Sequence, residues 1–129
     1  MKNNIPENIN SIINDFLLKV NNILSDRIDK IILYGSYARG DYNKDSDIDI
    51  MILTDLSDDE IAEYRIKIYD IAYDIEYEND FDICISPLLK NTNNFKYWIE
   101  ALPFYQNVKK EGIILTNYGK CWKKILTML

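Results

Sequence analysis

"GSYARGDYNKDSDIDIMIL", residues 35–53, sets a Gly-Ser pair, an arginine and four aspartates against and into an apolar run. Ile48, Ile50 and Ile52 alternate with Asp47, Asp49 and Met51, and the two-residue period of a strand puts both carboxylates on one face. Their Cα atoms would stand roughly 6.6 Å apart, two steps of strand rise. Met51 and Leu53 continue the same face as apolar, so it turns toward a core rather than toward solvent. Two like charges at the edge of a buried sheet repel each other and resist desolvation unless a cation lies between them.

The flanking sequence supplies the rest of the sheet. Upstream, "DKIILYGS" reads as a short buried strand ending at Gly35, with a polar loop running on to Asp45. Before it, Ile9, Ile12, Ile13, Phe16, Leu17, Val20, Ile23 and Leu24 recur at helical spacing behind Pro6. Downstream, Ser57 and Glu60 form a capping-box pattern that opens an amphipathic helix through Tyr77. "DFDICIS" reads as a third strand closed by Pro87. A helix then breaks near Pro103, a second short helix stops at Gly112, and "IILT" can add a fourth strand. The chain ends in a basic amphipathic segment, with Lys120, Lys123 and Lys124 beside Trp122 and Leu126; it reads as a packing helix with a solvated face or as a partner-docking helix. Strands alternating with helices predict an α+β (mixed α/β) fold, a small mixed sheet packed by helices, as one domain over 1–129. A helix-first order with two adjacent strands excludes a doubly wound dinucleotide fold, whose first strand leads straight into a helix.

Composition narrows the chemistry. Fifteen basic against twenty-one acidic side chains give a net charge of −6, and residues 1–64 carry the acidic excess. Such a chain lacks the broad basic footprint that holds nucleic acid backbones. There is no histidine, so a Ser-His-Asp triad and any His-bearing metal site are excluded, and a general base must be a carboxylate or a less usual group. Cys84 and Cys121 are too few and too ill-spaced for a disulfide scaffold or a zinc site, and read as packing. The ten tyrosines and two tryptophans read as core and interface residues rather than a base-stacking platform. The polar start and the lack of an 18-residue apolar run predict neither signal peptide nor membrane span, with the cytoplasm as the expected setting.

Two known loops fail on the quoted stretch. Gly35 and Gly40 are spaced as in a P-loop, but Asp41 and Tyr42 follow where that loop needs Lys and Ser/Thr. An EF-hand would need a central glycine, a terminal glutamate and an exiting helix, none of which is present. What remains is Gly35-Ser36, ten residues, then Asp47-x-Asp49 on the next strand, with Asp82 in a similar position on a third. This arrangement resembles the polymerase-β-like nucleotidyltransferases, and within them the minimal nucleotidyltransferase (MNT) domains, over residues 25–90.

The resemblance implies a set of roles. Asp47, Asp49 and Asp82 would hold two Mg2+ ions, with Asp82 on the acceptor side; Gly35 and Ser36 would admit and bind the triphosphate, and Arg39 would contact phosphate. It implies transfer of AMP from ATP to a hydroxyl, and, for so short a chain, the antitoxin half of a pair whose partner is a HEPN toxin modified on tyrosine. Two alternatives stay open: a non-catalytic antitoxin that masks the partner by contact, and a small-molecule nucleotidyltransferase.

Overall fold

The computed structural model describes residues 5–115. Helix α1 (Glu7–Leu24) leads through a short 3-10 turn into β1 (Ile28–Tyr34), followed by the one-turn α2 (Ser36–Arg39), β2 (Ile48–Thr54), α3 (Asp58–Glu78), β3 (Ile85–Asn91), α4 (Thr92–Trp98), α5 (Pro103–Glu111) and β4 (Ile113–Ile114). The sheet order is β3-β2-β1-β4. β1 runs antiparallel to β2 and β4, whereas β2 and β3 are parallel.

The alternation in β2 divides the core. Ile48, Ile50 and Ile52 point with Ile31 and Leu33 into a cluster built from α1 and α3, including Phe16, Leu17, Val20, Ile68 and Ile75. Met51 and Leu53 point the other way, joining Ile32, Tyr34, Phe95 of α4 and Val108 of α5. Helices therefore cover both faces, and the mixed α/β expectation of a small sheet packed by helices is met. Asp49 shares the α4/α5 face, one step before the side chains that fill it.

Local signals place the elements. Ser57 Oγ accepts from Glu60 N–H while Glu60 Oε1 accepts from Ser57 N–H, the reciprocal cap expected of α3. Glu60 also pairs with Arg27, which reaches Asp55 at 2.6 Å, so the start of α3 is tied to the turn before β1. Replacing the cap by Ser57→Ala should cost about 1 kcal/mol and lower the thermal midpoint by about 4 °C. A melt followed by circular dichroism checks this, and an unchanged midpoint would mean that Arg27 alone holds the helix start. Buried Thr54 is satisfied by donating to Lys90 C=O and accepting from Leu56 N–H. Pro103 sits in the first turn of α5, and Gly112 follows its last residue, as the sequence predicts.

The third strand is displaced from its expected position. Residues 79–84 form a turn instead: Phe81 N–H donates to Glu76 C=O at 2.8 Å and Asp82 N–H to Asn79 C=O at 3.0 Å. The strand starts at Ile85 and runs through Pro87, where the sequence predicts its end. The physical reason is position, because β3 is an edge strand and proline's missing donor costs nothing where no neighbour accepts. Among the described residues no helix is long and apolar enough to cross a membrane. The basic segment with Lys120, Trp122, Lys123, Lys124 and Leu126, and Cys121 with it, lies outside the described residues.

Candidate active site

The end of β1 and the start of β2 meet because the two strands are antiparallel, which pairs Tyr34 with Asp49. Gly35, the next residue, turns the chain with φ 80° and ψ −158°, a region open in practice to glycine alone. A Cβ built on Gly35 would fall on Asp49 Oδ2 and lie 3.1 Å from its Cγ. The Gly-Ser turn therefore packs its bare Cα directly against the carboxylate. Ser36 begins α2, and Gly35 C=O accepts from Ala38 and Arg39 N–H, each at 3.0 Å. Tyr37 enters the core and stacks on Tyr42 at 4.7 Å, fixing the loop that leads back to Asp47. Asn43 and Ser46 tighten that loop, with Ser46 Oγ accepting from Asn43 N–H and Asn43 Oδ1 from Asp45 N–H.

Asp47 is exposed and Asp49 half-buried. Burial first, and then the charge of Asp47, push the Asp49 carboxyl up to about 6, with Arg39 opposing. The same burial and the Asp49 charge push the Tyr34 phenol up, so it stays neutral. Arg39 is engaged on the rim, donating to Glu111 at 2.7 Å and to Asp41 at 3.2 Å. The ion pair links α2 to the end of α5.

Asp82 is the site residue whose setting differs most from expectation. It lies in the exposed bend three residues before β3, not on the strand. Ile48 pairs with Ile85, and its N–H donates to Cys84 C=O at 2.8 Å, two residues beyond Asp82. Among the described residues no three Asp, Glu, Cys or His side chains gather closely enough to hold a metal ion. The neighbour of Asp47 at this point is Cys84. Its thiol is pushed up to about 11, first by partial burial and then by the charges of Asp47 and Glu76 and hydrogen bonds to both. Although read as packing, Cys84 is exposed and stands between two carboxylates. Glu76 is held by Ile85 N–H, which donates to its Oε2 at 2.8 Å. Sequence spacing carries no signal for Glu76, because only the register of β3 brings the end of α3 here.

The donor set of Asp47 and Asp49 fits magnesium: oxygen ligands only, just before and at the start of β2, with a mutual repulsion that a divalent cation would relieve. Until a cation is supplied, Asp49 penalises the folded state. Its carboxyl titrates near 3.8 when unperturbed and near 6 when folded, so between those values the folded state binds more protons and stability falls as pH rises. Asp49→Asn should therefore stabilise the metal-free protein by about 1 kcal/mol at pH 7.5, allowing for the solvent that still reaches the group. The gain should vanish at pH 3.5. Chemical denaturation in a chelating buffer at both pH values measures it, and an equal gain at both would assign the effect to packing.

A cleft of about 660 Å³ lies toward the other end of the sheet, lined by Ile28, Thr54, Asn91, Phe95 and Lys109 among others, and takes in none of these residues.

A Gly-Ser turn seated on an Asp-x-Asp strand, in a mixed sheet covered by helices, is the arrangement that the resemblance of the sequence implies. The sequence pattern of the nucleotidyltransferase domain matches residues 16–115, and the chain belongs to that family. Two relatives from Methanocaldococcus jannaschii each bear the name "putative protein adenylyltransferase". One is 41% identical over 78 residues, 60% of this chain and 75% of the relative. The other is 34% identical over 103 residues, 80% of this chain and 93% of the relative. Solved structures that the chain matches include a variant of the toxin-antitoxin MntA-HpeT, with TM-score 0.49 and 22% identity, covering 95% of this chain and 86% of that one. A toxin-antitoxin structure with AMP-PNP has TM-score 0.47 and 21% identity, covering 89% and 85%.

Proposed function

We propose that this nucleotidyltransferase is a magnesium-dependent protein adenylyltransferase that moves AMP from ATP to a hydroxyl of a partner protein. The carrying observation is the seat of Gly35 against Asp49, which joins the glycine turn and the carboxylate strand in one site. The adenylyl group and the protein acceptor are supported by the names of the two archaeal relatives. The motif resemblance supports a tyrosine of a HEPN toxin as acceptor, with this chain as antitoxin.

In that reaction the acceptor oxygen forms a bond to the α-phosphorus, the bond to the β-phosphate breaks, and pyrophosphate leaves with its electron pair. Magnesium, when bound, would neutralise charge on the attacking and leaving oxygens. Asp47 and Asp49 would hold it; the motif resemblance assigns the third carboxylate to Asp82, which lies in the bend before β3 and does not gather with the pair. Gly35 keeps the floor of the site free of a side chain, and Ser36 offers its hydroxyl to a phosphate oxygen. Arg39, already paired to Glu111, supplies positive charge at the rim. A carboxylate or a less usual group would take the acceptor's proton, as the chain holds no histidine.

The test is incubation with α-labelled ATP, magnesium and a candidate HEPN partner, followed by intact mass. Addition of AMP to the partner, lost in Asp49→Asn, is the expected result. A stable complex without transfer would instead make the chain a masking antitoxin.

A further inference from the structure

Helix α3 carries a face the core does not use. Ile61, Ile68, Ala72 and Ile75 are buried, while Tyr69, Tyr73 and Tyr77 recur every fourth residue on the outside. They are 48%, 57% and 66% exposed, and Phe81 beyond them is 54% exposed. Phe81 closes the row, its ring 5.6 Å from Tyr73 and 6.0 Å from Tyr77. It is held there by unfavourable backbone: Asp80 and Phe81 both take left-handed conformations, at φ 56° and 58°. Two strained non-glycine residues keep a phenyl ring in water. The four exposed rings form a contiguous apolar row rimmed by polar residues, the kind of patch that is often functional.

Its charge selects the partner. From Tyr69 to Asp82 the sequence holds six carboxylates and no Lys or Arg. Asp70, Asp74, Glu78, Asp80 and Asp82 are exposed around the rings. Beside the row a groove of about 540 Å³ runs between Tyr69, Tyr73 and Glu76 of α3 and Ile85 to Leu88 of β3. The groove's β3 wall is a free sheet edge, but Pro87 interrupts its donors, so an added strand is disfavoured against side chains of a helix or loop. A second copy of this chain related by a two-fold axis would set acidic face against acidic face. Glu76, which lines the groove, accepts from Ile85 N–H at 2.8 Å, and the preceding Cys84 accepts from Ile48 N–H between Asp47 and Asp49, so an occupant lies alongside the candidate active site.

We propose that Tyr69, Tyr73, Tyr77 and Phe81 with their surrounding carboxylates form a docking face for a partner protein that presents a Lys/Arg-ringed apolar helix or loop. The inference rests on the protein-acceptor reading, which it deepens by placing the acceptor protein on this face. Its test reads binding, not transfer. p-Benzoylphenylalanine is placed at Tyr73 or Tyr77, and at exposed Leu18 of α1 as control, and the protein is irradiated in its native host. A single protein with a basic surface should crosslink from the α3 positions only. With that protein purified and ATP absent, Tyr77→Ser/Phe81→Ser should weaken binding at least tenfold with an unchanged melt, added salt should weaken the wild type, and Asp49→Asn should bind as wild type.

Crosslinking to a second copy, to RNA or to lipid, crosslinking from Leu18 alike, no crosslink, or full affinity in the double variant would each overturn the docking face. No AMP transfer by the wild-type protein in an intact complex would sink the adenylyltransferase reading and leave the face standing.

Discussion

Asp47→Asn and Asp49→Asn should each reduce nucleotidyl transfer by at least about 10³-fold while leaving the protein folded. The size follows from what the carboxylates do. Removing a single preorganised group that stabilises transition-state charge commonly costs 10² to 10³ in rate. Here each substitution removes a carboxylate from the proposed two-carboxylate cation site. Asparagine keeps the shape, so a folding failure does not stand in for a chemical one, and the stabilisation expected of Asp49→Asn at pH 7.5 makes the separation sharper: a more stable protein with no activity. Single-turnover transfer of α-labelled AMP at saturating magnesium measures the loss. Retention of more than a tenth of the wild-type rate by both variants would defeat the two-carboxylate assignment. Asp82→Asn and Glu76→Gln run beside them decide which carboxylate is the third. The bend at residues 79–84 leaves Asp82 off the strand and not gathered with the pair, whereas Glu76 and Asp47 both hydrogen-bond with Cys84.

Much of this was legible in the sequence because its signals were local. The period-2 alternation at Ile48, Ile50 and Ile52 correctly assigns the two faces of β2, and the Ser57–Glu60 pattern correctly locates the start of α3. Pro103 and Gly112 likewise bracket α5. What failed depended on partners distant in sequence. "DFDICIS" alternates like a strand, yet the helix C-terminus captures Phe81 N–H and the pairing with β2 begins only at Ile85. Proline was read as a stop because its edge position cannot be known before the sheet order is. Arg39 has no sequence neighbour that announces Glu111, 72 residues away. The contact between Gly35 and Asp49 was invisible for the same reason, although the spacing of the two motifs pointed to a shared site. The exposed tyrosines of α3 are spaced as a stripe, but only the packing shows that the stripe is the outer one.

Gly35→Ala should cost about 2 to 4 kcal/mol of stability and reduce transfer as far as loss of Asp49 does. Two causes add. The backbone at φ 80° and ψ −158° is closed to alanine at a cost of about 1 to 3 kcal/mol. The new methyl also collides with the Asp49 carboxylate, which must leave the position it shares with the start of β2. Gly40 is the control, because its φ of 95° is equally left-handed but nothing lies within 4 Å of a Cβ there. Gly40→Ala should therefore cost about 1 kcal/mol and spare most of the activity. The two causes separate in the Asp49→Ala background, where the carboxylate oxygen is gone and only the backbone penalty remains. Gly35→Ala should then destabilise by at least about 1 kcal/mol less than in the wild type, a coupling that a double-mutant cycle of denaturation free energies reads directly. Additive effects would mean that Gly35 serves the turn alone and that the glycine and carboxylate motifs are neighbours without contact, which would remove the observation on which the single site rests.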